Sequence, residues 1–468
     1  MDSYQLPFTT PKNRLGMHYF PDSIHYRDSD LQTWLPELES MGISWLVLQS
    51  PFDRAIPEHF IEGLIQAGIE PIIHFGLPLI NPPEASELRP ILSAYGRWGV
   101  KAVIFFDRPN SRNAWPATSW AQQDLVERFL DQYVPLACLA SQNSLTPILP
   151  PLEPGGSYWD TAFLRTTLES LQKRKQDELL LNLVLSAYAW SGYHNLNWGA
   201  GGPDRWPEAR PYFSLPQEQD QRGFRIFDWY KAITTAVLGT PKPILLLGAG
   251  LPADPLHIQS SKYSVEQLSA NTLAIAQLLC EETPNDPGEP EKPAEAIPSE
   301  VFAAAFWLLS TGPNSPYQSH AWYSESGNVS PVVEKMKTWY AEHHALQAQE
   351  SPAPVANIPS PQGEEKNVFF PGSPHAEKHH CIKHYLLLPT YEWGVADWHL
   401  DVIRPFVKKY RPTIGFSPSE ASHAVRVTLV GNSPSFPDDI VEKLTQAGCI
   451  VERISGDGTS IATQLAER

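Results

Sequence analysis

The sequence predicts an α/β fold in which eight parallel strands, each followed by a helix, close into a (β/α)8 TIM barrel, with a small α/β domain after it. Short apolar runs alternate with helical patterns through residues 14–348, as expected for repeated βα units. The runs lack a polar and apolar alternation, which fits strands buried on both faces. The chain of 468 residues also has room for a barrel of about 250 residues, long loops and a second domain.

Each predicted strand is an apolar or β-branched run bounded by Gly, Pro or Asp. After the first strand, Leu31, Leu35 and Leu38 recur at helical spacing in a helix that begins at Asp28. Asp160 is predicted to cap the helix after the fifth strand. An open doubly wound sheet would favour a glycine-rich turn after the first strand, and none is present, so we favour the closed barrel. The predicted strands are Leu15–Phe20, Ser44–Leu48, Glu70–Phe75, Ala102–Phe106, Thr146–Leu149, Leu179–Leu185, Pro243–Leu247 and Phe302–Leu308.

Composition suggests the domain limits. We predict the barrel over residues 1–348, a Pro-rich linker over 349–378 and the small α/β domain over 379–468. Two Pro-rich polar stretches, Thr283–Pro298 and Gln349–Lys378, predict solvated extended loops and not packed elements. The predicted elements of the last domain are strands at Tyr385–Leu388, Val425–Val430 and Ile450–Ile454 and helices at Val395–Tyr410 and Asp438–Ala447.

Charge and hydropathy exclude several classes of partner. A net charge of −17 opposes phosphate backbones and anionic lipid, so we predict no nucleic-acid partner. The acidic surface belongs to the barrel, because residues 381–468 hold ten acids against nine bases. No apolar run reaches 18 residues and the first residues do not resemble a secretion signal, so we expect no membrane insertion and a cytoplasmic location.

The sequence indicates no cofactor and no metal site. His18, His74 and His194 lie on different predicted loops, with no carboxylate pattern to match a metal. The four cysteines form no CxxC pair. One histidine-rich run matches no standard zinc spacing and lies at the predicted linker, so we interpret it as solvated chain. This run contains His375, His379, His380, Cys381 and His384.

Polar and aromatic side chains follow the strands at their carboxyl ends, where barrels build their sites. Aromatic faces stack on sugar rings, and they also fill cores, so both roles stay open for Trp190, Tyr193 and Trp198. We predict that this rim binds a ligand, with an oligo- or polysaccharide as the candidate. The predicted ligand-binding residues are His18, Tyr19, His74, Asp107, Arg108, Asn110, Trp115, Tyr188, Trp190, His194 and Trp307.

The stretch Phe105–Trp115, FFDRPNSRNAW, follows the fourth strand, and GAG follows the seventh. Together with the βα cadence, these residues resemble clan A glycoside hydrolases, the (β/α)8 enzymes that include endoglucanases and β-xylosidases. In that clan strand four ends in Asn-Glu-Pro-Asn, whose Glu is the acid/base, and strand seven carries the Glu nucleophile. The resemblance places Arg108 at the position of the acid and Gly248 at that of the nucleophile.

These two replacements imply a loss of catalysis. A retaining glycosidase needs two carboxyl groups about 5 Å apart. A guanidinium stays protonated near neutral pH, and glycine supplies no group. We therefore expect a glycosidase-like pseudoenzyme that acts as a carbohydrate-binding or protein-assembly module.

Two alternatives stay open. The first is an active glycoside hydrolase that uses a relocated pair, Asp107 and Glu153. The structural interpretation of these carboxylates is an ion pair of Asp107 with Arg108 or Arg112 and a loop-anchoring Glu153. The second alternative is a structural subunit of a larger assembly, formed with a protein partner or by self-assembly.

The last domain has a resemblance of its own. Val430-Gly431-Asn432 and Val451–Gly456 resemble one repeat of the type 2 cell-wall-binding module, in which a glycine turn, a helix and a VxRISG segment recur. The chain departs from that pattern at Asp457-Gly458-Thr459, where the module usually has an arginine-tyrosine pair, and it contains one copy.

Overall fold

A computed structural model of the chain describes residues 6–8, 10–11, 13–191, 194–250, 265–324, 327–350, 382–389 and, with gaps at 405, 408, 411, 432–435, 457–459 and 462, residues 403–464. The chain divides into two compact units, Met1–Val355 and Ala356–Arg468. The linker 349–378 falls almost entirely outside the described residues, so the domain limits stay predictions.

Eight parallel strands of the first unit close into a barrel, which confirms the predicted fold. The first strand pairs with the second on one side and with the last on the other, so the barrel has no free edge. The other strands pair with their neighbours in chain order. The barrel strands are β1 (Leu15–His18), β2 (Trp45–Gln49), β3 (Glu70–Phe75), β4 (Ala102–Phe105), β5 (Thr146–Leu149), β6 (Val184–Tyr188) and β7 (Ile244–Leu247) and, after a hairpin of β8 (Asn285–Asp286) and β9 (Glu289–Pro293), β10 (Val301–Phe306).

Helices separate consecutive barrel strands and follow the last one. The first begins at Asp28, as its spacing of leucines predicts, and buries Leu38. Asp160 is the first residue of its helix and not the cap, which is Trp159. The helices are α1 (Asp28–Ser40), α2 (Glu58–Gln66), α3 (Ala85–Arg97), α4 (Ala117–Trp120), α5 (Leu125–Gln142), α6 (Asp160–Lys173), α7 (Asp177–Leu181), α8 (Gly202–Arg205), α9 (Ile226–Leu238), α10 (Val265–Leu279) and α11 (Pro331–Glu350).

Strand alternation divides the core of this unit into two layers. Residues that point outward, such as Met17 and Leu46, pack against the helices in one large apolar cluster. Residues that point inward, such as Val47 and Ile72, fill the barrel interior in a second cluster. The interior is thus a packed core that leaves functional side chains to the ends of the strands.

The structure corrects two further predictions in this unit. The predicted sixth strand, Leu179–Leu185, is mostly wrong, because Asp177–Leu181 forms α7 and the strand begins at Val184. The stretch Thr283–Pro298 contains the β8–β9 hairpin and so has regular structure that the sequence does not predict, while β9 is largely exposed, in agreement with the prediction of a solvated stretch. The side chain of Asn197 joins this hairpin to the loop after β6, donating to the Pro293 carbonyl at 3.0 Å.

The second unit contains a sheet of four parallel strands, three of which the sequence predicts. Apolar clusters cover both faces of the sheet. The predicted helix Val395–Tyr410 lies partly outside the described residues, and its described part begins at residue 403. The strands, in spatial order, are β12 (Thr413–Gly415), β11 (Ile382–Leu387), β13 (Ala424–Val430) and β14 (Ile450–Ile454), with helices α12 (Pro418–Ala421) and α13 (Asp438–Gln446).

Candidate functional site

Strand alternation aims a group of polar and aromatic side chains at the carboxyl end of the barrel axis. Ile72 lines the interior, so His74, two residues later on β3, also faces inward. On β1, Met17 packs outward, so His18 faces inward. The same parity applies to three further strand ends. We call seven residues at this end of the barrel the mouth residues. Five of them lie at the strand ends, namely His18, Gln49, His74, Tyr188 and Trp307, and two lie in the loop after β4, namely Asp107 and Arg108.

The two mouth histidines are buried. His74 Nε2 lies 2.9 Å from the Phe106 carbonyl, which only accepts, so Nε2 carries the hydrogen. Its Nδ1 then accepts from the Gln49 amide at 3.3 Å. Burial, with a smaller contribution from His74, lowers the pKa of His18 to about 3. The Nε2 atom of His18 is buried and has no hydrogen-bond partner in the described part of the chain.

Asp107 has both carboxylate oxygens engaged. Arg108 Nε donates to Oδ2 at 3.0 Å, and the Tyr188 hydroxyl donates to Oδ1 at 2.7 Å. Of the two arginines considered from the sequence, Arg108 makes this ion pair. Burial disfavours the charge on Arg108, but Asp107 and other neighbours raise its pKa above the ordinary value. The guanidinium therefore stays charged beside the mouth.

Asn110 joins the loops after β4 and β5. The side chain is fully buried; its amide nitrogen donates to the carbonyls of Glu153 and Tyr158 at 2.9 Å, and its oxygen accepts from the Glu153 backbone nitrogen at 2.8 Å. This fixes the backbone of Glu153 beside the loop that carries Asp107. The Glu153 carboxylate interacts electrostatically with Arg108. Asn110 is thus a positioning residue.

At the end of β7, Trp190 occupies the space beside Gly248. The backbone of Gly248 is left-handed, with φ +57°, and a Cβ atom added there would lie 3.0 Å from Trp190 Nε1 and 3.4 Å from its Cδ1. Trp190 is buried and stacks on Tyr188, with ring centroids 4.8 Å apart. A side chain at residue 248 would therefore have to displace a packed indole ring.

Three predicted ligand-binding residues lie away from the mouth. Tyr19 packs against Tyr26 and Phe60, towards the helices. Trp115 is buried and donates to the Pro109 carbonyl at 2.8 Å, which stabilises the turn after β4. His194 stacks on Trp198 at 3.8 Å in the loop after β6, where burial lowers its pKa.

The loop after β6 is attached at both ends to neighbouring elements. Tyr212 accepts a hydrogen bond from the backbone nitrogen of Trp159 at 2.9 Å, and the Asn197 backbone donates to Asp286 at 3.1 Å. The loop therefore bridges the β5 loop and the β8–β9 hairpin. Tyr193, His375, His379, His380 and Cys381 lie outside the described residues.

The segment after β10 adds Tyr317 and Trp322, two aromatic residues that sequence reasoning did not select. Trp307 contacts His18 on one side, with centroids 4.9 Å apart, and Tyr317 on the other, at 5.2 Å. Trp322 packs on Phe306. The aromatic-rich stretch SPYQSHAWY, directly after a predicted barrel strand, was the available indication.

Within the described ranges, no three His, Cys, Asp or Glu side chains come together as a metal site would require. In the same ranges, no helix is both long enough and apolar enough to span a membrane.

No family model and no curated protein sequence matches the chain. A family 39 glycoside hydrolase from the gut symbiont Bacteroides cellulosilyticus WH2 is similar in structure, with a TM-score of 0.44 and 13% identity over 70% of this chain. The match spans 63% of that structure, less than two thirds of its length. A family 128 endo-β-1,3-glucanase from Sorangium cellulosum has a TM-score of 0.38 and 11% identity, over 69% of this chain and 98% of its own.

A third similar structure is an L-ribulose 3-epimerase, with a TM-score of 0.36 and 12% identity, over 74% of this chain and 100% of its own. The similarity to all three concerns the fold alone.

Proposed function

We propose that the barrel mouth binds a carbohydrate without hydrolysing it. The observation that carries this proposal is the state of the two strand ends where hydrolysis would need carboxyl groups. The Asp107 carboxylate is bound by Arg108 and Tyr188, and Trp190 occupies the space beside Gly248.

A general acid must hold a proton and transfer it to the leaving oxygen. Arg108 remains a cation and cannot serve this purpose. Both carboxylate oxygens of Asp107 accept a hydrogen bond, one from the guanidinium of Arg108 and one from the hydroxyl of Tyr188. A bound ligand would have to compete with these two donors for the carboxylate. The charge of Arg108 would also repel the positive charge that develops on a sugar during cleavage.

The remaining mouth chemistry supports sugar binding. The half-buried Tyr188 and Trp307 offer aromatic surface for the C–H faces of a sugar ring. The guanidinium of Arg108, which is partly exposed and bonded to Asp107 through Nε, supplies further donors for a hydroxyl group. Aromatic walls combined with a few fixed polar groups are typical of a small-molecule site.

One observation favours the second candidate, an active hydrolase with Asp107 and Glu153 as a relocated pair. Asn110 holds the Glu153 backbone next to the loop of Asp107, and Arg108 interacts with both carboxylates. The two functions differ in turnover, and the same experiment separates them.

The test combines binding and product analysis on one panel of β-1,3- and β-1,4-linked gluco-oligosaccharides, xylo-oligosaccharides and chito-oligosaccharides. Calorimetry of the full chain should detect binding to at least one member, with no new reducing ends after prolonged incubation. Tyr188→Ala should weaken binding by about tenfold or more, equivalent to about 1.4 kcal/mol.

Tyr340 provides the matched control, because it is half-buried on α11. Tyr340→Ala should leave the affinity unchanged. Absence of binding across the panel would overturn the proposal. Product release that disappears in Asp107→Asn or Glu153→Gln would establish the relocated pair instead.

A further inference from the structure

A tight turn in the loop after β6 exposes two neighbouring aromatic residues. Two backbone hydrogen bonds between Arg210 and Phe213, at 3.0 and 3.1 Å, close residues 210–213 into this turn, which we call the aromatic turn. Tyr212 and Phe213 are 60% and 59% exposed. Single exposed apolar residues are common on protein surfaces, but two adjacent aromatic rings form a patch, and a patch more often marks an interaction site.

The backbone of the aromatic turn is strained at Tyr212. Pro211 precedes this residue, whose φ is +67°, a combination found in type II turns. The position after the proline in such a turn favours glycine, because a Cβ atom makes a left-handed backbone unfavourable. Tyrosine stands there instead, and more than half of its surface stays in solvent. Strain that burial does not offset is typical of functional positions.

Neighbouring side chains hold the exposed ring of Tyr212 in place. Its hydroxyl accepts a hydrogen bond from the Trp159 backbone nitrogen at 2.9 Å, and the two ring centroids lie 5.3 Å apart. The guanidinium of Arg222 lies over the Trp159 ring at 5.3 Å, and its Nε donates to Asp220 at 2.9 Å. The ring is therefore fixed before a ligand arrives, which lowers the entropic cost of stacking on it.

The aromatic turn lies at the same end of the barrel as the mouth. Trp159 directly precedes α6, and the helices of a (β/α)8 barrel begin at the end where the strands finish. Asn110 donates to the carbonyl of Tyr158, the neighbour of Trp159, at 2.9 Å. Asn110 belongs to the loop that carries Asp107. Hydrogen bonds thus connect this loop of the mouth to the residues that support the aromatic turn.

We propose that the aromatic turn binds sugar units that extend beyond the mouth, so the ligand of this chain is an oligo- or polysaccharide long enough to reach both. This inference rests on the proposed function of the mouth. Aromatic rings stack on the C–H faces of sugars, and tyrosine combines such a face with a polar tip. The aromatic turn would then add affinity for long ligands and none for short ones.

The size of the patch and the charge of the chain disfavour a protein as the occupant. A fully covered Tyr or Phe buries about 200 Å², so at the observed exposure the two rings offer about 240 Å² together. A stable protein interface buries about 800 Å² on each partner. A net charge of −17 also opposes the approach of a second copy of the chain.

The dependence of affinity on ligand length tests this inference. Calorimetry of the full chain uses a series from disaccharide to octasaccharide with the linkage that the chain binds best. Affinity should rise by about tenfold or more once the ligand is long enough to reach the aromatic turn. Phe213→Ala should remove this rise and leave the affinity for the shortest bound oligosaccharide unchanged.

Two variants of Tyr212 separate stacking from a structural role. Tyr212→Phe keeps the ring but loses the hydrogen bond from Trp159, so it should bind long oligosaccharides as the wild type does. Tyr212→Ala also loses the ring and should lose the rise with length. Phe416→Ala, at a 42% exposed position of the second unit, is the matched control for Phe213→Ala and should bind every length normally.

The outcomes distinguish this inference from the function of the mouth. If affinity does not depend on length, or Phe213→Ala weakens every length equally, the inference is wrong, and the mouth proposal stands provided that Tyr188→Ala weakens the binding of short oligosaccharides. A dimer in light scattering that dissociates in Phe213→Ala would show that a second copy occupies the aromatic turn and would also overturn the inference. Absence of binding at every length would overturn both proposals.

Discussion

The substitution Gly248→Ala tests whether Trp190 closes the end of β7, where the proposed function requires that no carboxylate be accommodated. Two costs are expected. A left-handed backbone costs a non-glycine residue about 1–2 kcal/mol. The added Cβ would also lie 3.0 Å from Trp190 Nε1, and Trp190 is buried against Tyr188. Overpacking of this kind costs about 1–3 kcal/mol, so we expect a total loss of about 2–5 kcal/mol in the free energy of unfolding.

Gly239 separates the two costs. Its φ is +79°, but a Cβ added there meets nothing within 4 Å. Gly239→Ala should therefore cost only the backbone component, about 1–2 kcal/mol. Trp190→Phe removes Nε1, the indole atom nearest to residue 248, so in that background the cost of Gly248→Ala should fall towards that of Gly239→Ala.

The assay is urea unfolding of the full chain, monitored by circular dichroism and by tryptophan fluorescence. Comparison of the two signals identifies the unfolding transition that belongs to the barrel. An equal cost for Gly248→Ala and Gly239→Ala in the wild-type background would refute the reasoning. It would mean that the indole moves aside freely and that the position could accept a carboxylate side chain.

Three further predictions concern the carboxylates and their anchors. Burial raises the pKa of Asp160 to about 6, so the protonated carboxyl stabilises the fold at low pH, and this contribution of about 3 kcal/mol at most is lost as the pH rises from about 4 through 6. The difference in unfolding free energy between the wild type and Asp160→Asn should therefore change across this pH window and be constant above it. A difference that is constant at every pH would contradict the raised pKa of Asp160. Asn110→Ala removes three hydrogen bonds between a fully buried side chain and the backbone of two loops, and it should cost about 3 kcal/mol in urea unfolding. Asn143→Ala, which removes one bond at 2.8 Å, should cost about 1 kcal/mol, and equal costs would contradict the positioning role of Asn110. Tyr188→Phe removes the hydroxyl that donates to Asp107 and should lower the free energy of unfolding by about 1 kcal/mol in the same assay. An unchanged free energy of unfolding would contradict this hydrogen bond.

The barrel was predictable because its strands impose a simple pattern on the sequence. Strands buried on both faces must be apolar throughout, and each must be separated from the next by a helix. The failure at Leu179–Leu185 has the same origin, because a continuous apolar run is compatible with a short helix as well as a strand. The acidic residues Asp177 and Glu178 favour the first turn of α7.

The packing of loops was not predictable. Proline and polar residues in Thr283–Pro298 suggested solvated chain, but Asn197 and Arg205, far away in sequence, hold this hairpin through Asp286 and Glu295. At the site, the sequence identified Arg108 and Gly248 as unusual. It gave no indication that Trp190 would lie against Gly248, because that contact depends on the path of two loops.

The most direct test of the central claim is a single-turnover measurement on the wild-type chain. The protein is incubated in excess over the oligosaccharide that it binds most tightly, and the bound sugar is recovered and analysed by mass spectrometry. We predict that all of the sugar is recovered intact. Cleavage that is lost in both Asp107→Asn and Glu153→Gln, but retained in Tyr340→Ala, would contradict the account and establish the barrel as a glycoside hydrolase.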